Sequence, residues 1–168
     1  MPIETAHESL PQSQELNYYT NAKGMVTVVT QDNHRFRVTV EAAIRACEAL
    51  NHISDFQTQF SDLLDRLAAW VNEHESAIRL ASVTVRDRGL LFLVVRKATS
   101  HDPHFDDDLT ALDIEIAQNE AFDLIRLSVL SLPNSSVDAL GSFVDPDNTL
   151  TYRKKDVESR SAPGAIES

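Results

Sequence analysis

The sequence predicts an α+β domain: an antiparallel β-sheet, formed by a hairpin, a helix pair and two further hairpins, with one long amphipathic helix packed on one face. Three observations carry this. Between Phe56 and Val71 apolar residues recur at steps of three and four, the period of a helix with one buried stripe. Short β-branched runs flank Asp32-Asn33-His34, Asp87-Arg88-Gly89 and Gln118-Asn119-Glu120-Ala121, as strands flank turns. The 168 residues are 42% hydrophobic and 24% charged, which suits the single core of an ordinary soluble domain.

Residues 1–22 are polar, hold Pro2 and Pro11 and sustain no apolar period, so a loose arm is expected before one domain spanning 23–153. Met25 to Thr30 and Arg35 to Val40 read as the first hairpin, in which a three-residue loop at Asp32, Asn33 and His34 sets Val28 against Val38 and Val26 against Val40. Helical spacing begins at Glu41, where Ile44, Cys47 and Leu50 make a short stripe. Ser54 and Gln57 form a capping box for a second helix reaching about Glu75, with Phe56, Phe60, Leu63, Leu64, Leu67, Trp70 and Val71 inward and Asp62 and Arg66 outside.

That helix needs a flat apolar partner. Leu80 to Arg86 and Leu90 to Lys97 supply it as a second hairpin, whose turn at Arg88-Gly89 pairs Val85 with Phe92 and Val83 with Val94. The opposite face carries Ser82, Thr84 and Arg86 but also Leu91, Leu93 and Val95, an apolar patch that one helix cannot cover. After a loop from Ala98 to about Leu109, Ala111 to Ala117 and Phe122 to Leu132 alternate as a third hairpin, with Asp113 opposite Arg126 on its outer face. Pro133 ends that strand. Asn134 or Ser135 caps a short helix stopped by Gly141, Asp145-Pro146-Asp147-Asn148 turns the chain into Leu150-Thr151-Tyr152, and residues 154–168 are expected to be a disordered tail.

Charge is distributed unevenly. Of the formal net charge of −11, nearly all lies between Ala98 and Tyr152, where eleven carboxylates face one base, Arg126. Such a block repels a phosphate backbone and attracts a cationic partner, so nucleic acid is excluded and a basic protein partner is expected. No run approaches the roughly 18 apolar residues of a membrane helix, and Met1-Pro2-Ile3-Glu4 lacks the basic start of a signal peptide. With the single Cys47, this leads to the expectation of a cytoplasmic protein with no membrane association.

Chemistry-bearing residues are sparse. His101, His104 and Asp106, followed by Asp107 and Asp108, hold potential ligands for a divalent metal that would activate water for hydrolysis. No second cluster completes a zinc spacing, and Pro103 disfavours ordered helical presentation, so a solvated acidic loop is the competing reading. Asp113, Glu115 and Asp123 do not converge by strand parity. Cys47, although near His52, sits on the apolar stripe of a buried thiol. Four unclustered glycines make no phosphate loop, and Asp145, Asp147 and Asn148 lack the glycine and glutamate of a calcium loop. No catalytic residue is identified and no cofactor is expected. Arg35, Arg37, Arg79, Arg86, Arg88, Arg96 and Lys97 gather as a positive rim suited to protein docking.

The leading reading is a non-enzymatic acidic interaction module that self-associates as a homodimer through Leu91, Leu93 and Val95. The alternative is a small metal-dependent hydrolase on the His101 to Asp108 loop; a third is an acidic chaperone or inhibitor of a basic partner.

Overall fold

The computed structural model describes residues 10 and 12–156. Six strands form one sheet: β1 (Gln14–Thr20), β2 (Val26–Thr30), β3 (Ile78–Arg86), β4 (Gly89–Arg96), β5 (Leu127–Leu132) and β6 (Thr149–Lys154), in the spatial order β2-β1-β6-β3-β4-β5. The helices are α1 (Asn33–Ala46), α2 (Ile53–Glu73), α3 (Pro103–Gln118) and the short α4 (Val137–Leu140). The α+β character is as expected. The sheet, however, is mixed, because β1 runs parallel to β6 and β4 parallel to β5.

The parallel pairs have a local cause in the chain. A parallel neighbour requires a crossover connection, and α3 is the crossover between β4 and β5. The expected loop and strand at 98–117 are instead one helix. Asp102 accepts hydrogen bonds from the backbone N–H groups of His104 (3.1 Å) and Phe105 (3.3 Å), and Pro103 occupies the first turn, where its missing N–H costs nothing. Phe105, Leu109, Leu112 and Ile116 then bury at helical spacing, and Ile114, which strand parity would have buried with Leu112 and Ile116, is half exposed. The expected Asp113 to Arg126 pair is absent; Arg126 Nη2 lies 2.9 Å from Glu48 Oε2.

A second expected strand is also helical. Asp32 caps α1 by accepting from His34 N at 2.9 Å and Arg35 N at 3.1 Å, and Thr39, Val40, Ala43, Ile44 and Ala46 are buried along it. The first hairpin forms between β1 and β2 instead, with Tyr18 opposite Val28. Its β1 lies within the stretch expected to be a loose arm, and there Leu16 and Tyr18 alternate into the core while β6 flanks the other side. Residues 1–9 and 11 of that arm, and the expected tail beyond residue 156, lie outside the described residues.

The apolar stripe of the main helix and the two faces of the central hairpin are as expected, but the cap and the register differ. Phe56, Phe60, Leu63, Leu64, Leu67, Trp70 and Val71 are all buried on α2, although its N-cap is His52 without a side-chain bond, so the capping box does not form. Leu50, expected on the first stripe, is exposed. In the β3–β4 hairpin the turn sits at Asp87 and Arg88, giving Val83 opposite Phe92 and Val85 opposite Leu90. This two-residue slip keeps every side chain on its expected face. Gly89 has φ +138° and a Cβ there would fall 2.5 Å from the Arg126 carbonyl oxygen, so only glycine lets β4 approach the start of β5.

The second face of the sheet is covered, which overturns the reading of Leu91, Leu93 and Val95 as an exposed interface. Leu93 and Val95 are 0% exposed, packed with Leu10, Leu80, Leu140 and Val144, and flanked by Leu130, Leu132, Val137 and Phe143. Leu91 is half-buried. The basic rim holds this cover down: Arg79 donates to Asn134 Oδ1 (2.6 Å) and to the Ser135 carbonyl, and Arg86 Nη1 donates to the Phe143 carbonyl (2.6 Å). Leu93→Ala is therefore expected to cost about 2–5 kcal/mol in urea denaturation, the usual penalty of emptying a buried leucine site. A loss under about 1 kcal/mol would place Leu93 on an open surface.

Candidate interaction edge

Between α2 and α3 lies a groove of about 390 Å³ lined by Arg66, Trp70, His74, Asp108 and Glu115. Two pairs of its groups engage one another, while Glu73 also lines it. Arg66 makes two bonds to Glu115 (2.7 and 2.6 Å) and holds its carboxyl below the ordinary range. His74, stacked on Trp70 at 4.1 Å, reaches the Trp70 carbonyl through Nδ1 (2.9 Å) and Asp108 through Nε2 (3.2 Å). No serine, cysteine, threonine or lysine lines the groove, so the Asp–His pair has no nucleophile to activate. It clamps two helices together.

The residues singled out as metal ligands are distributed differently. His101 Nδ1 lies 3.0 Å from Asp106 Oδ2, but His104 is exposed on the first turn of α3 and is not brought to them. Among the described residues no group of three or more His, Cys, Asp or Glu side chains is arranged to hold a metal ion. Cys47 is buried, and burial pushes its thiol up, away from the nucleophilic thiolate. Asp123 stands at the rim and accepts from Gln59 Nε2 at 2.6 Å, while Asp145 caps the 3-10 turn Pro146–Asn148. Among the described residues no helix is long and apolar enough to cross a membrane.

The two sheet edges remain, and they differ. Edge β2 is short, and α2 closes it: the Asp65 carboxylate accepts from the outward N–H of Val28 at 3.3 Å. A carboxylate turned in along an edge is a standard guard against strand addition. Edge β5 has none. Its sequence Leu-Ser-Val-Leu-Ser-Leu contains no charge and no proline, and it pairs with β4 over six residues without a bulge, from Leu90–Leu127 to Val95–Leu132. Among the described residues no backbone hydrogen bond joins β5 to any segment besides β4. Five of its six side chains are half-buried, apolar Leu127 and Val129 toward α3, Leu130 and Leu132 toward the second layer.

Beside this edge the second layer leaves a depression of about 340 Å³ lined by Arg86, Arg88, Leu91, Ser128, Leu130 and Phe143. Above its other face, α3 presents two pairs of carboxylates seven residues apart. Asp108 and Glu115 turn toward α2, where His74 and Arg66 meet them. Asp106 and Asp113 project from the opposite flank, the side of β5. Sequence reading missed this edge, because strand order is not visible in a local pattern; the uncharged run from Leu127 to Leu132 was the signal available. No protein-family model, curated protein or solved structure matches the chain.

The guard on β2 carries a pH signature. Burial pushes the Asp65 carboxyl up, opposed by the Val28 hydrogen bond and reinforced by Asp62. A carboxyl raised on folding contributes stability that is present below its unfolded range and lost as pH rises through the folded value. Asp65→Asn, which keeps the accepting oxygen, is expected to raise the urea midpoint at pH 7, with the gain closing as pH falls through the carboxylate range. A lower midpoint at pH 7 would show that the charge itself holds Val28.

Proposed function

We propose that this protein is a non-enzymatic interaction module that receives an extended segment of a partner protein on the edge of β5. The observation that carries the reading is the contrast between the edges: both strands are uncharged, but Asp65 meets the outward Val28 N–H on β2, whereas among the described residues nothing bonds to the outer edge of the longer β5. Proteins ordinarily blunt such edges, since their free N–H and C=O groups recruit any strand that reaches them. Strand addition uses those groups for affinity and the alternate side chains for selection. The half-buried Leu127, Val129, Leu130 and Leu132 would be buried further by the same event.

Self-association through Leu91, Leu93 and Val95 is not part of this proposal, because Leu93 and Val95 are core residues. The test places a guard on the open edge. Ser128 is exposed on β5, so Ser128→Lys is expected to leave the fold intact, with an unchanged melting temperature within a few degrees. A partner isolated with the wild-type protein from its native cells should protect the amides of residues 127–132 from hydrogen exchange, and should be lost with the lysine variant. Protection elsewhere, with β5 amides unaffected, would remove the reading.

A further inference from the structure

The geometry points to a basic segment as the occupant of the β5 edge: an extended strand whose side chains on the α3 side are lysine or arginine and whose alternate side chains are apolar. This inference rests on the strand-addition reading and adds the chemistry of the partner.

Three observations select that chemistry. The first is the division of charge on α3. Its sixteen residues hold five carboxylates and no lysine or arginine. Among the described residues, the pair facing α2 meets Arg66 and His74; on the other flank Asp106 lies 3.0 Å from His101 Nδ1, and Asp113 has no ion-pair partner. A strand laid against β5 would run directly beneath that flank.

The second is a pair of unsatisfied acceptors in the same layer. Asp106 Oδ1 and Ser131 Oγ are closed to solvent and have no hydrogen-bond partner among the described residues. Ser131 shares strand parity with Leu127 and Val129, so its side chain faces α3. Because α3 returns antiparallel between parallel β4 and β5, its first turns, with Asp106, lie over the end of β5 that carries Ser131. Buried oxygens without a donor are costly, and an ammonium or guanidinium group is all donor.

The third concerns the competitor. A second copy pairing β5 with β5 about a two-fold axis would bring the two α3 flanks together, Asp106 and Asp113 of one against those of the other. Like charges opposed across a strand pair are destabilising. A basic segment turns the same groups into an attraction. On the other face, apolar side chains would extend the row of Leu130 and Leu132.

The probes are three fluorescein-labelled nonapeptides: alternating Lys and Val, alternating Glu and Val, and the Lys–Val peptide with alternate backbone amides N-methylated. Fluorescence anisotropy at low salt is expected to show the Lys–Val peptide binding at least tenfold tighter than the Glu–Val peptide, and the N-methylated peptide binding little. Asp106→Asn with Asp113→Asn should lower Lys–Val affinity about tenfold and flatten its salt dependence, while hydrogen exchange maps protection to residues 127–132. Equal binding of the Lys and Glu peptides at β5 would overturn the basic-partner inference and leave strand addition standing. Lys–Val binding that survives N-methylation and Ser128→Lys, with β5 unprotected, would overturn both. A wild-type dimer in light scattering that Ser128→Lys converts to monomer would replace the basic segment with a second copy.

Discussion

A strand that is apolar on both faces has to be covered twice, and β4 is that strand. Leu90, Phe92 and Val94 face the helices; Leu93 and Val95 face the other way and are equally shut from water. Burial of such residues is worth roughly 1.5–3 kcal/mol each, so the chain must build a layer on each side or leave that energy unused. The helical layer is α1, α2 and α3, anchored by Phe56, Phe60, Leu67 and Trp70. The second layer is slight: Leu10, the short α4, Phe143 and Val144, held by arginines that donate to its backbone. Arg79 and Arg86, part of a docking rim in the sequence reading, are therefore tethers in the fold.

The sheet has two edge strands, β2 and β5, and α2 reaches one of them through Asp65. The same crossover that makes β5 parallel to β4 prevents a helix from reaching the other, because α3 must lie over the pair to bury Phe105, Leu109, Leu112 and Ile116. The open edge thus follows from topology, and its lack of charge follows from the residues placed there.

Much of the core was legible before the fold was known. The stripe on α2 and the two faces of the central hairpin follow from periods that tertiary packing did not override. The misread segments are those in which two periods coexist. Leu112, Ile114 and Ile116 alternate as a strand would, but Phe105, Leu109, Leu112 and Ile116 also fit a helix, and Asp102 with Pro103 begins one. Arg35 to Val40 is rich in β-branched residues, yet Phe36, Val40, Ala43 and Cys47 recur on a helical face behind the Asp32 cap. Capping chemistry decided both cases, and it was present in the sequence. The edge was legible only in part: the uncharged run could be read, but its place at the end of the sheet depends on β6 inserting between β1 and β3, a long-range pairing that no local pattern encodes.

The acidic block acquires meaning from that placement. As a loop it would be a diffuse repulsive cloud; as α3 it is a rod with a core stripe and two charged flanks. Pairing one flank with α2 fixes the helix against its neighbour, and the bidentate Arg66–Glu115 contact sets its register. The other flank gains no such partner within the described residues beyond the His101–Asp106 contact, and Asp106 Oδ1 is left without a donor. Both lie beside the edge to which the proposed strand would be added. In that reading a cation arriving with the strand would supply the missing hydrogen bond, which would make association and local stability parts of a single equilibrium.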